Sequence, residues 1–163
     1  MSRKVNIISG ILTMSGVALA VTVAMMSPPS VDVEQHACLA KNIYFEARSE
    51  RVEGRIAVAQ VTLNRVNHSY WPSTICEVVY QPHQFSWTHL ISDQTPREQD
   101  AWENAKVIAR DVMIGNVEDP TNNAVFYHAN WVNPSWANQM ELSKVIGNHL
   151  FYKWDGVWDE DQS

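Results

Sequence analysis

The 163-residue sequence predicts an α+β domain, mostly helical with a small antiparallel β-sheet, preceded by an N-terminal hydrophobic helix. Three observations carry that prediction. Residues 7–26 run without a charge; several segments between residues 33 and 115 keep helical apolar spacing or open with helix caps; and beyond residue 120 the texture turns to β-favouring runs. Helices first and strands afterwards is the order of an α+β domain.

The uncharged stretch, "IISGILTMSGVALAVTVAMM", is long enough to cross a hydrocarbon core of about 30 Å as a helix. Arg3 and Lys4 precede it and Asp32 is the first charge after it, so the positive end stays in the cytoplasm and the remainder is expected to be exported. Nine of the twenty residues are Gly, Ala, Ser or Thr, which makes the segment weakly hydrophobic. Three fates stay open: cleavage at the small-x-small site Ala18-Leu19-Ala20, a permanent inner-membrane anchor, or a releasable one. The composition is similar to the signal-arrest-release segments of some phage endolysins. "SPPS", Ser27 to Ser30, follows as a stiff linker, so the chain divides into residues 1–30, a domain over 31–154, and an acidic tail over 155–163.

Leu39, Ile43 and Ala47 repeat at four-residue spacing and predict a helix from Val33 to Arg48. "EGRIAVAQVTLNRVN", Glu53 to Asn67, is apolar on nearly every side and reads as a central buried helix, on which Gln60 and Asn64 need partners. Thr74 with Glu77 makes a capping box for a short helix. In "TPREQDAWENAKVIARDVMIG", Thr95 is expected to cap, Pro96 to open the first turn, Glu98 to complete the box and Gly115 to stop the helix. "AVFYHA" and "SKVIGNHLFYK" predict strands, the second run folding back at Gly147-Asn148.

Composition limits function. Beyond residue 30 the chain carries ten basic against eighteen acidic residues, a formal −8, so nucleic acid is excluded as a partner for want of a basic face. Cys38 and Cys76 form no CxxC and are either two core thiols or one disulfide; export favours the disulfide. "HQFSWTH" lacks the HExxH arrangement of a zinc peptidase, and neither a metal nor another cofactor is implied.

Several separated blocks occur in order: "CLAKNIYFEARSERVEGRIAVAQVTLNRV", "STICEVVYQ", "QFSW", "DPTNNAVFYHA" and "IGNHLFYK". Together, over roughly residues 36 to 153, they resemble the catalytic domain of bacterial spore cortex-lytic enzymes and related cell wall hydrolases. The resemblance implies a lysozyme-like fold variant, peptidoglycan glycan strands as substrate, and one essential glutamate in the "YxEAR" block, here Glu46. Chemistry can be judged beside it. Protonating a glycosidic oxygen near neutral pH needs a carboxyl group whose pKa is raised by burial, and Tyr44, Phe45 and Ala47 supply apolar neighbours for Glu46. Glu50 and Glu53 are expected to be caps or surface ion pairs where the chain turns.

Both standard hydrolase geometries ask for a second carboxylate, and no matching block marks one out. A lytic transglycosylase needs only one, because the muramic acid 6-hydroxyl attacks the anomeric carbon and leaves a 1,6-anhydro end; that is the mechanism the resemblance implies. A hydrolytic muramidase and an inactive, membrane-tethered glycan-binding protein are the alternatives. Tyr44, Gln84, Phe85, Ser86, Tyr127, His128 and Trp136 are the candidate substrate-binding residues, offering amide, hydroxyl, imidazole and aromatic faces. The protein is expected to act as a monomer.

Overall fold

The computed structural model describes residues 29–156. The predicted membrane segment, the start of its linker and residues 157–163 lie outside the described residues. Five helices come first, α1 Val33–Ala47, α2 Val52–Val66, α3 Ile75–Val79, α4 Trp87–Leu90 and α5 Gln99–Met113, followed by β1 Phe126–Ala129, a 3-10 helix Ser135–Gln139, β2 Glu141–Ile146 and β3 His149–Lys153. The three strands form one antiparallel sheet in the order β1-β3-β2.

Helix α1 starts where Asp32 accepts a hydrogen bond from the Gln35 backbone N–H, satisfying one of the first turn's orphan donors. It packs on α2, α3 and α5 through Leu39, Ala40 and Ile43, all fully buried. Helix α2 is buried on both sides: Ala59 faces the helical core, while Ala57 and Val61 meet Ala124, Ile146 and Phe151 of the sheet side. Thr74 caps α3 as expected, accepting from the Glu77 N–H at 3.3 Å. The predicted disulfide is present, joining Cys38 of α1 to Cys76 of α3 with Cα atoms 5.3 Å apart.

The start of α5 differs from expectation. Its N-cap is Glu98, and Thr95 does not cap it. The Tyr44 hydroxyl instead accepts from the backbone N–H groups of Arg97 and Glu98, each at 3.1 Å, while the Thr95 N–H is taken by Asp93. A tertiary acceptor has replaced the local cap. At the other end Gly115, with φ +70°, follows the helix in the left-handed conformation that stops it.

Asn64 is structural. Its amide reaches Asp119 Oδ2 at 3.0 Å and the Ala124 carbonyl at 2.9 Å, and so moors the turn before β1 to α2. Asp119 also accepts from Thr121 and Asn123, with Asn122 and Asn123 both left-handed.

Glu50 is neither a cap nor a surface ion pair. Only 8% exposed, it accepts from the Asn148 side chain at 2.9 Å, pinning the β2-β3 turn onto the α1-α2 junction. Gly147 lies against this carboxylate at φ +57°, and a Cβ there would collide with Glu50 Oε2. Gly147→Ala is expected to cost about 2 kcal/mol from left-handed strain and overpacking. Urea unfolding checks this. The same substitution on a Glu50→Ala background should cost clearly less, and an equal cost in both would mean that the collision is not the cause.

Candidate active site

Glu46 sits in the last turn of α1, where the helix ends one residue later and the chain reverses through an Ala47 carbonyl to Glu50 N–H bond of 2.9 Å. Opposite it, β1 presents Tyr127, whose hydroxyl donates to Glu46 Oε2 at 2.9 Å. Arg65, in the last turn of α2, reaches the same place from below: its Nε donates to the Val125 carbonyl at 2.7 Å just ahead of β1. These three side chains line a cleft of about 490 Å³ together with His83, Gln84, Phe85, Ser86, His89, His128, Ala129, Val132 and His149.

The "QFSW" block is fixed from inside. Trp87 donates through Nε1 to Asn42 Oδ1 at 3.0 Å, Asn42 in turn donates to Thr62, and the Trp87 ring stacks on Phe45 at 4.7 Å. Phe85 is buried as cleft floor, and Gln84 and Ser86 remain accessible beside it. On β1, His128 is held through both ring nitrogens, by the Ala129 carbonyl and the Tyr152 hydroxyl. His149 of β3, the strand paired with β1, lines the cleft beside Tyr127, their rings 5.3 Å apart.

Burial is the main influence on Glu46 and raises its pKa above the ordinary 4.5; the Tyr127 hydrogen bond and the Arg65 charge oppose it without cancelling it. Tyr127 is pushed well above its ordinary value by burial and by Glu46, so it remains an O–H donor. Arg65 is lowered to about 10 by burial, with Tyr127 and Glu46 acting the other way, and therefore stays cationic at neutral pH. His149 is lowered, by burial first and despite Glu50, which favours the neutral ring. A protonatable carboxyl, a fixed hydroxyl donor and a buried cation are thus assembled at one point. Among the described residues, Glu46 is the only carboxylate that lines the cleft.

Of the residues the sequence suggested, Glu46, Gln84, Phe85, Ser86, Tyr127 and His128 meet in this cleft. Tyr44 and Trp136 do not. Tyr44 lies two residues before Glu46, about 200° around the helix, and its hydroxyl serves the start of α5, beside a separate groove lined also by Arg48 and Asp93. Trp136 packs on Phe126 at 5.2 Å, on His128 and on Tyr152, on the flank of the sheet. Sequence reasoning missed Arg65 and His149. A signal for Arg65 existed: it is a cation in the last turn of a helix that the sequence marks as buried.

Comparisons with known proteins agree with this architecture. Residues 49–152 match the family described as Cell Wall Hydrolase; the match opens at Ser49, just past Glu46. The spore cortex-lytic enzyme of Oceanobacillus iheyensis is 31% identical over 134 residues, 77% of this chain and 46% of that one. The spore cortex-lytic enzyme of Bacillus cereus is 34% identical over 119 residues, 71% of this chain and 42% of that one. The chain therefore spans less than half the length of the curated relatives it matches. Among solved structures, the catalytic domain of the germination-specific lytic transglycosylase SleB from Bacillus anthracis aligns with a TM-score of 0.63 and 30% identity, covering 78% of this chain and 100% of that one. With the fold, the ordered blocks and a family match over most of the described residues in agreement, the chain belongs to the cell wall hydrolase family.

Proposed function

We propose that the protein is a peptidoglycan lytic transglycosylase that cuts the β-1,4 bond between N-acetylmuramic acid and N-acetylglucosamine, with Glu46 as its acid and base. The carrying observation is one buried carboxyl, raised in pKa and hydrogen-bonded by Tyr127, in a cleft that no second carboxylate lines among the described residues. Tyr127 occupies Oε2, and Oε1 has no hydrogen-bond partner among the described residues. In the reaction, Glu46 gives its proton to the glycosidic oxygen as the bond to the anomeric carbon breaks. The resulting carboxylate then takes the proton of the muramic acid 6-hydroxyl as that oxygen bonds to the anomeric carbon. Water is not consumed, and Glu46 ends protonated. Gln84, Ser86 and His128 would hold the sugar rings over the Phe85 floor.

The ends of the digested strands test this. Purified glycan strands treated with the enzyme should carry 1,6-anhydromuramic acid by mass spectrometry. Reducing muramic acid ends would replace the reading with a hydrolytic muramidase, and intact strands that stay bound would leave a glycan-binding protein.

Placement follows from the substrate, which lies outside the cytoplasm. We propose that residues 7–26 carry the domain across the inner membrane and hold it there loosely, with the enzyme acting as a monomer in the periplasm. The charge order around that segment and the disulfide support export. Cell fractionation should find uncut protein in the membrane, and collapse of the membrane potential should release it. A soluble product beginning near Val21 would mean an ordinary signal peptide, and full-length protein that stays bound a permanent anchor.

A further inference from the structure

Arg65 is an unusual interior residue. It is only 4% exposed, yet it makes no salt bridge among the described residues, and its Nη1 is buried without a hydrogen-bond partner. A buried, unbridged cation costs several kcal/mol unless its surroundings compensate. Compensation here is partial. The guanidinium lies 5.6 Å from the Trp71 ring centroid and 5.5 Å from those of Phe85 and Phe126, and Nε is held by the Val125 carbonyl. Its remaining neighbours of opposite or acidic character are Glu46 and Tyr127, both on the cleft it helps to line. A role in packing alone would be met at less cost by an apolar side chain.

We propose that Arg65 is a positioning residue for Glu46, a cation caged by aromatic rings whose field stabilises the carboxylate that Glu46 becomes once its proton has passed to the leaving sugar. The inference rests on the transglycosylase reading of Glu46. Charge is what the step changes: the carboxyl is neutral before bond cleavage and anionic after it, so a fixed positive charge favours the second state over the first. Because the cation is rigid and excluded from water, it acts without reorganising and is little screened. Too strong a coupling would strip the proton before substrate arrived. No direct salt bridge joins the two among the described residues, and burial, the larger influence, still raises the Glu46 pKa against the pull of the cation. The other titratable groups facing this point are Tyr127 and His128 from β1, His149 from β3 with Glu50 behind it, and His83 and His89 from the segment around α4. None of them is a fixed cation.

The test compares Arg65→Gln, Arg65→Met and Arg65→Lys with wild type and Glu46→Gln, all as full chains. Both neutral variants should lose roughly 100-fold in kcat. The basic limb of their pH-rate profile should also move to higher pH, as should the titration of the Glu46 carboxyl carbon followed by NMR in the absence of substrate. Arg65→Lys should keep both curves near their wild-type positions. Neutral variants that only melt earlier, with limb and titration unmoved, would overturn the proposal and leave Arg65 a packing residue. A measurement on wild type guards against variants that do not fold: the Arg65 guanidinium nitrogen resonances should titrate with Glu46 and stay flat in Glu46→Gln. Flat resonances in both would overturn the coupling. Full activity of Glu46→Gln would instead overturn the catalytic reading itself, a result separable from any outcome at Arg65.

Discussion

Glu46→Gln is expected to lower turnover of glycan strands by several orders of magnitude while leaving strand binding largely intact. The amide keeps the size of the side chain and can still accept from Tyr127, but it has no proton of usable acidity to give. Binding by cosedimentation with insoluble peptidoglycan and turnover by release of soluble fragments separate the two effects. Unchanged lysis would remove Glu46 from the chemistry. The same variant should also be more stable than wild type at neutral pH. For a carboxyl whose folded pKa is raised, the folded state holds the proton more tightly. Its contribution is complete below the unfolded pKa and is lost as pH rises through the folded value. The stability difference between Glu46→Gln and wild type should therefore appear on going from acidic to neutral pH. A difference of equal size at both would mean that burial of the charge is not its cause.

Replacing Cys38 and Cys76 together by Ser is expected to cost about 3 to 4 kcal/mol, the loop-entropy value for a 38-residue separation. The bridge closes a loop that contains all of α2, so the unfolded chain loses much of its freedom when it forms. Activity at low temperature should survive. Cys38 lies eight residues before Glu46, about 12 Å away along α1. Urea unfolding of the double variant, set beside wild type with and without reductant, checks the claim. Reductant should bring wild type down to the variant and leave the variant where it is. A variant as stable as the oxidised protein would show that the helical core alone holds α1 against α3.

The parts of the fold that were legible in the sequence are those governed by near neighbours. The spacing of Leu39, Ile43 and Ala47 marked α1, Thr74 and Glu77 marked α3, and Gly147 with Asn148 marked the hairpin turn. Misreadings came where a distant group supplied what a local one was expected to. Thr95 does not cap α5 because the Tyr44 hydroxyl, more than fifty positions away, takes the N–H groups of Arg97 and Glu98. Glu50 looked like a solvated acid because nothing near it in sequence discloses Asn148. Six of the eight site residues nominated from sequence line one cleft, since the blocks carrying them each supply a wall. Tyr44 fails for a geometric reason, its place on the far side of α1 from Glu46. Arg65 was overlooked because its partners Val125, Phe85 and Phe126 belong to other elements.

The hydrogen bond between Tyr127 and Glu46 joins residues 81 positions apart, and the one between Glu50 and Asn148 joins residues 98 apart. Contacts of such high sequence separation form late, because the long loops between them must close first. A chain emerging N-terminus first therefore has its helices, and Glu46 among them, long before β1 and β3 can pair and bring Tyr127 and His149 to the cleft. The cleft is complete only once that pairing has closed it, so its geometry belongs to the whole domain and to no shorter piece of it.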